Sequence, residues 1–282
     1  MENAEELRQL VKEKYSSIAL QSKEQNASSC CGSGGCSTEV YNIMNDDYSK
    51  LEGYDPDADL SLGCGLPTEY ALLKSGDTVI DLGSGAGNDC FIARTIVGEQ
   101  GRVIGIDFTE AMIDKARLNA ERLGFNNVEF RHGEIEKMPL SNNSADVIVS
   151  NCVLNLVPDK AKAFSEMFRV LKAGGHFSIS DVVLKGELPA NLKEASEMYA
   201  GCVSGAMQKS EYLAFIDAAG FKNVKVQKEK VISLPDDILS AYLSESELHV
   251  YKNKAAGIFS ITVYAEKSAD MNCCAPGCCE PK

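Results

Sequence analysis

Apolar residues in the middle of the chain form short runs separated by segments with helical periodicity. The runs are TVIDL, RVIGID, NVEFR, ADVIVS and HFSISDVV, and each has the length of a buried strand. Between them, apolar positions every three or four residues predict helices, one of which begins after Thr109 as N-cap and ends before Gly124. Strands that alternate with helices predict an α/β fold, a mostly parallel sheet with helices on both faces.

The segments on either side of this core have a different pattern. Residues 4–18 predict an amphipathic helix, and a Gly/Ser/Cys-rich linker follows it. Beyond Leu188 the pattern predicts a helix broken at Gly201 to Gly205, a helix that ends at Gly220, and two final strands. We therefore expect an N-terminal helix with a Cys-containing segment (1–66), an α/β domain (67–186), a smaller C-terminal α+β region (187–268) and a Cys-rich tail (269–282).

Composition and charge narrow the classes of partner. The net charge is −13, and a nucleic-acid binder needs a basic face to replace the counterions of phosphate. The N-terminus, MENAEELRQLVKEKYSS, lacks the apolar stretch of a secretory signal. No apolar run approaches the roughly 18 residues that a membrane helix needs. We expect a cytoplasmic protein without a nucleic-acid or membrane partner.

The eleven cysteines change this picture. In the cytosol, cysteines serve catalysis, redox chemistry or metal binding more often than structural disulfides. Three lie in SSCCGSGGCS near the start. Four lie in NCCAPGCCEPK at the end, a tail that either binds a thiophilic metal or metalloid or is merely solvated. Cys64, Cys90, Cys152 and Cys202 are spread through the body of the chain. Cys90 is either a thiol activated by a helix N-terminus or a buried apolar residue.

A glycine-rich turn after the first core strand predicts a nucleoside site. In VIDLGSGAG, Asp81 precedes Gly83, Gly85 and Gly87. This spacing departs from the G-x-G-x-x-G of dinucleotide sites and favours S-adenosylmethionine, whose ammonium group an acid can hold. Asp107 ends the second strand, where it can accept both ribose hydroxyls. Further expected donor contacts are Glu134 and Ile135 at the adenine, together with Ser84, Phe108 and Asn151.

These acids follow three successive strands, a regularity that argues against their being unrelated polar residues in solvated loops. Residues 77–184, including RVLKAGGHF, resemble the class I S-adenosylmethionine-dependent methyltransferases. The resemblance implies their Rossmann-like fold and S-adenosylmethionine as methyl donor. It does not specify an acceptor.

Three cysteines occupy places from which an acceptor could be held. Cys152 follows the fourth strand, and ligands of open α/β sheets bind at the carboxyl ends of strands. Cys64 in LGCGLP and Cys202 in MYAGCVSGA are on glycine-flanked segments. Each alone can be a small buried apolar residue, but together they suit three sulfur ligands of one soft atom. Trivalent arsenic takes such ligands and keeps a lone pair that can attack a sulfonium methyl without a general base.

The segments YSKLEGYDPDADLSLGCGLP, DLGSGAGNDCF, SNCVLNLVPDK and MYAGCVSGA resemble the arsenite methyltransferase family over most of residues 36–207. The family's four functional cysteines match Cys36, Cys64, Cys152 and Cys202. The resemblance implies that Cys64, Cys152 and Cys202 hold arsenic, delivered as arsenite or its glutathione conjugate. It also implies that Cys36 forms a disulfide with Cys64 during turnover and that thioredoxin or glutathione reduces it.

Two other functions are compatible with parts of this pattern. One is a methyltransferase for a small organic acceptor such as a quinone or sterol, with Cys152 as a wall of the pocket. The other is a non-catalytic, thiol-rich metalloid-binding protein. The intact set of Asp81, Asp107 and Glu134 argues against the second, because a metalloid buffer has no use for a nucleoside pocket.

Overall fold

A seven-stranded sheet forms the centre of the protein. The computed structural model describes residues 4–21, 46–189, 206–233, 236, 239–240, 243–253 and 257–269. The strands are β1 (Thr78–Leu82), β2 (Arg102–Asp107), β3 (Val128–His132), β4 (Ala145–Asn151), β5 (Leu171–Lys185), β6 (Lys222–Ile232) and β7 (Gly257–Glu266). Their order across the sheet is β3-β2-β1-β4-β5-β7-β6.

The strands β1 to β5 run parallel to one another, and β7 is inserted antiparallel between β5 and β6. The predicted α/β fold with a mostly parallel sheet is confirmed. The strands β6 and β7 fall in the range expected to form a C-terminal region, and they extend the same sheet. The strand order reverses between β1 and β4, and such a switch point opens a crevice at the carboxyl ends of the strands.

Helices cover both faces of the sheet. They are α1 (Ala4–Leu20), α2 (Pro67–Tyr70), α3 (Asn88–Val97), α4 (Glu110–Leu123), α5 (Lys160–Val170), α6 (Lys209–Ala218) and α7 (Glu245–Asn253), with a 3₁₀ turn at Leu154–Leu156. As predicted, α4 has Thr109 as N-cap and ends at Gly124, which has a φ of 70°. The Thr109 side chain makes no capping hydrogen bond, however. Asp159 caps α5 by accepting a hydrogen bond from Lys162 N.

Two apolar clusters fill the space between the sheet and these helices. Phe164, Phe177 and Tyr212 belong to the cluster that includes residues of α5 and α6. Phe91 and Phe130 belong to the cluster that includes residues of α3 and α4. Because both faces are covered, the inner strands are apolar along their length instead of alternating. The open carboxyl edge of the sheet is therefore where polar side chains can gather.

Several predictions concern residues that the structure does not describe. They are the Cys-rich linker, the helix broken at Gly201 to Gly205, and nearly all of the tail after residue 268. Among the helices that the structure does describe, none is both long and apolar enough to cross a membrane.

Candidate active site

The glycine-rich turn joins β1 to α3 at the switch point of the sheet. Gly83, Gly85 and Gly87 have φ values of 67°, 51° and 101°, a region that residues with a Cβ adopt at a cost. A Cβ on Gly83 would lie 2.4 Å from the side chain of Val153. Glycine is required at residue 83 both for its conformation and for the close approach of the loop that follows β4.

Replacing Gly83 by alanine is expected to destabilise the fold more than a strained φ alone would. Gly76 has a φ of +88°, and a Cβ added there would have no atom within 4 Å. The variant Gly76→Ala therefore measures the cost of the strained φ alone, a loss of about 1 kcal/mol in the free energy of unfolding. Gly83→Ala adds overpacking against Val153 and should lower the free energy of unfolding by roughly 2–4 kcal/mol. Urea unfolding of both variants measures the difference. Equal losses would show that contact with Val153 is unimportant.

Asp107 connects the turn to the end of β2. Its carboxylate accepts hydrogen bonds from Gly85 N at 3.0 Å and from Thr109 N at 2.8 Å. Burial raises the pKa of Asp107, and these backbone donors oppose the rise. The buried carboxylate organises the glycine turn and lies in the pocket beside it.

Asp81 and Cys90 form a buried pair below the turn. The Cys90 thiol donates to Asp81 Oδ2 at 3.3 Å. Burial raises the pKa of Asp81, as does the charge of Asp89. Burial and the neighbouring Asp81 raise the pKa of the Cys90 thiol well above its usual value. An activated Cys90 at the helix N-terminus is therefore the wrong alternative, because the loss of solvation and nearby carboxylates outweigh the helix dipole.

A second polar cluster links the pocket to the segment that contains Cys64. Tyr48 Oη donates to Asp89 Oδ2 at 3.0 Å. Asn151 Nδ2 donates to the carbonyl oxygen of Gly65 at 2.8 Å, and Asn151 Oδ1 accepts from Cys64 N at 3.0 Å. Burial raises the pKa of Asp89 to about 6, while the hydrogen bonds from Tyr48 and Asn151 oppose the rise. Tyr48 and Asp89 were not predicted as site residues.

Two of the four predicted cysteines lie together at this edge. Cys64 is fully buried and Cys152 is 2% exposed, and both belong to one apolar cluster with Val182 and Ile258. Cys152 follows β4 with a φ of 60°, and its N–H donates to the carbonyl oxygen of Ser180 at 2.7 Å. Asn151, which holds Cys64, is the residue before Cys152. Cys36 and Cys202 lie outside the described residues.

One pocket collects most of the predicted donor contacts. Its lining includes Asp81, Gly83, Ser84, Gly85, Asp107, Phe108, Glu134, Ile135, Asn151 and Cys152. Gly87 and Cys64 do not line it, although Gly63 does. The Ser84 hydroxyl is buried without a hydrogen-bond partner among the described residues. Several carboxyl groups and an unused hydroxyl fit a cationic, hydroxyl-bearing nucleoside such as S-adenosylmethionine.

Similarity to known proteins decides the family. Residues 73–220 match a family model described as a methyltransferase domain. The chain is 38% identical over 281 residues to the arsenite methyltransferase of Halobacterium salinarum, covering 94% of this chain and 68% of that protein. The chain belongs to the arsenite methyltransferase family. The family membership that the sequence motifs indicated is confirmed.

Other relatives of the arsenite methyltransferase family support this assignment. The arsenite methyltransferase of Mus musculus is 35% identical over 192 residues, covering 65% of this chain and 50% of that protein. The crystal structure of an arsenic(III) S-adenosylmethionine methyltransferase from Chlamydomonas reinhardtii has a TM-score of 0.62 and 30% identity, over 82% of this chain and 74% of that chain. The predicted Rossmann-like class I methyltransferase fold is confirmed.

The pocket of this arsenite methyltransferase family member also contains side chains that the sequence analysis missed. Arg8, Val11 and Tyr15 of α1 line it together with Tyr48 and Asp89. Asp89 could have been found from its place just after the glycine turn. No sequence signal showed that α1 or Tyr48 would reach the pocket, because both are distant from the turn along the chain.

Proposed function

We propose that this protein transfers methyl groups from S-adenosylmethionine to trivalent arsenic, supplied as arsenite or its glutathione conjugate. One observation carries the proposal: Cys64 and Cys152 are buried in one cluster beside a pocket lined by carboxyl groups. Thiolates are the ligands that soft ions prefer. Carboxylates suit the positive charge of the methyl donor. Methylation of arsenic would use both the buried thiols and the carboxyl groups, whereas methylation of an organic acceptor would use only the carboxyl groups.

We propose that Cys64, Cys152 and Cys202 hold arsenic as thiolates in a pyramid. The arsenic lone pair attacks the methyl carbon, so that an As–C bond forms as the C–S bond breaks and the bonding pair stays on the donor's sulfur. Arsenic thereby loses two electrons. The protein contributes the orientation of arsenic toward the donor and the exclusion of water, for which buried thiols are well placed.

The two electrons that restore trivalent arsenic come from a pair of cysteines in this proposal. The S–S bond between Cys36 and Cys64 forms as the As–S bond to Cys64 breaks, and the electron pair of that bond stays on arsenic. A thioredoxin- or glutathione-type reductant then regenerates both thiols. Family resemblance supports this step.

The donor site follows from the acids and the glycine turn. When bound, S-adenosylmethionine supplies an activated methyl group on a sulfonium. We propose that Asp81 holds its ammonium group, that Asp107 accepts from the ribose hydroxyls, and that Glu134 and Ile135 contact the adenine. The turn from Gly83 to Gly87 allows the donor to approach the backbone closely. Ser84, Phe108 and Asn151 are further proposed contacts of the donor.

Donor affinity is expected to fall at acid pH. Asp89 has a pKa of about 6, and a cationic donor favours the charged carboxylate. Affinity is therefore full above pH 6 and decreases below it, by up to about tenfold per pH unit, as Asp89 becomes protonated. Calorimetric titration of the donor between pH 5 and pH 8 measures this dependence. In Asp89→Asn the break should move away from pH 6, because the charge of Asp89 no longer raises the pKa of Asp81; an unchanged break would show that Asp89 does not contribute to it.

Product analysis tests the proposed reaction. Reduced protein is incubated with S-adenosylmethionine, arsenite and a thiol reductant, and the products are separated by chromatography with arsenic-specific detection. We expect mono- and dimethylated arsenic. If the protein binds the donor but makes no methylated arsenic, the arsenic assignment fails and a small organic acceptor such as a quinone or sterol becomes the leading alternative. If the protein binds arsenic but does not bind the donor, it is a non-catalytic metalloid-binding protein.

A further inference from the structure

The helix α1 presents one face to the pocket. Arg8, Val11 and Tyr15 line the pocket, and their spacing of three and four residues places them on one side of the helix. Val11 is buried. On the other side, Glu13 and Ser17 are exposed. An amphipathic helix of this kind packs by its apolar side, but here part of that side faces the space where a ligand would lie.

Both ends of α1 are attached to elements that form the proposed nucleoside half of the pocket. Near its start, Arg8 Nη2 pairs with Glu136 Oε1 at 3.0 Å. Glu136 is 5% exposed and lies two residues after Glu134. Near its end, the carbonyl oxygen of Ala19 accepts from Lys115 Nζ of α4 at 3.2 Å. The helix therefore spans the pocket wall between these two attachment points.

We propose that α1 is a closing element of the donor site, with Val11 and Tyr15 as its wall and the Arg8–Glu136 ion pair as its latch. The inference rests on the proposed donor-binding function of this pocket. The demethylated donor must leave before each new methyl transfer, and a helix that covers the nucleoside must then open. Arg8 thus acts as a positioning residue that sets the rate of donor exchange.

The burial of Glu136 makes the ion pair suitable as a latch. An exposed ion pair contributes little, but a buried carboxylate that loses its partner is strongly unfavourable. The Arg8 side chain is 31% exposed and the Glu136 side chain is 6% exposed. The closed position of α1 therefore keeps the buried Glu136 carboxylate paired with a cation. Opening breaks this contact and brings water to the pocket. Closure is therefore favoured, and occupation of the pocket by a nucleoside adds apolar contact to Val11 and Tyr15.

Donor exchange in Arg8→Ala tests the proposal. The full-length protein is loaded with S-adenosylmethionine or S-adenosylhomocysteine, and stopped-flow dilution measures dissociation. We expect the dissociation rate of both nucleosides to rise about tenfold, the factor typical of a lost charge-assisted hydrogen bond. The association rate should change little. Lys12→Ala removes the same charge from α1 at a residue that does not line the pocket, and it should leave both rates unchanged.

Two further measurements separate the latch from a general loss of structure. Glu136→Gln keeps an oxygen acceptor for Arg8 and should accelerate dissociation less than Arg8→Ala. Hydrogen exchange of residues 8–20 should slow when S-adenosylhomocysteine is added to the parent protein and should slow less in Arg8→Ala. Equal dissociation rates in Arg8→Ala and the parent, or equal acceleration in Lys12→Ala, would overturn the proposal. None of these measurements contains arsenic, so they stay informative if no methylated arsenic is formed.

Discussion

Cys152→Ser is expected to abolish arsenic methylation while the protein still binds its methyl donor. A serine hydroxyl is a hard oxygen ligand and does not replace a thiolate on a soft atom. Cys152 directly follows β4 and lies in the same apolar cluster as Cys64, so its loss removes the proposed arsenic ligand that lines the donor pocket. The rate of methylarsenic formation should fall by at least about a hundredfold, since the loss of a mere outer-shell partner of a ligand already costs about 10- to 100-fold.

Cys90→Ser is the matched control for this variant. Cys90 is as buried as Cys152, but its thiol donates to Asp81, and a serine hydroxyl can donate in the same way. Methylation should persist in Cys90→Ser, and titration with the donor should show binding in both variants. Substantial arsenic methylation by Cys152→Ser would show that Cys152 only lines the pocket and does not hold arsenic.

Asp107→Ala is expected to raise the dissociation constant of the donor by about a hundredfold, which corresponds to about 3 kcal/mol. The substitution removes the proposed acceptor for the ribose hydroxyls. It also leaves Gly85 N and Thr109 N without the carboxylate that they contact, so the glycine turn loses its organisation. Calorimetric titration with S-adenosylmethionine measures the effect.

Two control variants show which property of Asp107 matters. Asp107→Asn keeps one oxygen acceptor and should weaken donor binding less than Asp107→Ala. Asp114→Ala removes an acidic side chain that is 74% exposed on α4 and should have no effect beyond a small change in net charge. If Asp107→Ala binds the donor as well as Asp114→Ala does, Asp107 is no part of the donor site.

The sequence predicted the part of the site that follows from the strands themselves. The runs that became the inner strands β1, β2, β4 and β5 are apolar because both faces of the sheet are covered. Asp81, Asp107 and Glu134 lie in or just after successive strands, and the carboxyl ends of parallel strands meet at one edge. The structure accordingly places all three in the lining of a single pocket.

The contacts that the sequence did not predict join segments far apart along the chain. The pattern of α1 showed an apolar side but not the surface that it covers. Tyr48 reaches Asp89 only because the segment before Cys64 folds over the edge of the sheet. Likewise, local patterns predicted the strands near residues 222–232 and 257–266 but not that they would extend the central sheet, since strand order depends on long-range packing.

The pKa of Cys90 was a further point that local sequence could not decide. Its position at the start of α3 allowed either a thiolate stabilised by the helix dipole or a buried apolar residue. The structure shows that the thiol is fully buried and donates to Asp81. Desolvation and the proximity of a carboxylate both favour the protonated thiol. Only the fold shows that these two groups meet.

The central claim is that thiolates hold arsenic beside the donor pocket, and X-ray absorption at the arsenic edge tests it most directly. Reduced full-length protein is loaded with one equivalent of arsenite and measured beside Cys152→Ser. The account predicts a first shell of three sulfur atoms in the parent protein and one sulfur fewer in the variant, replaced by oxygen. A shell of oxygen atoms in the parent protein, or the same sulfur shell in both proteins, would contradict it.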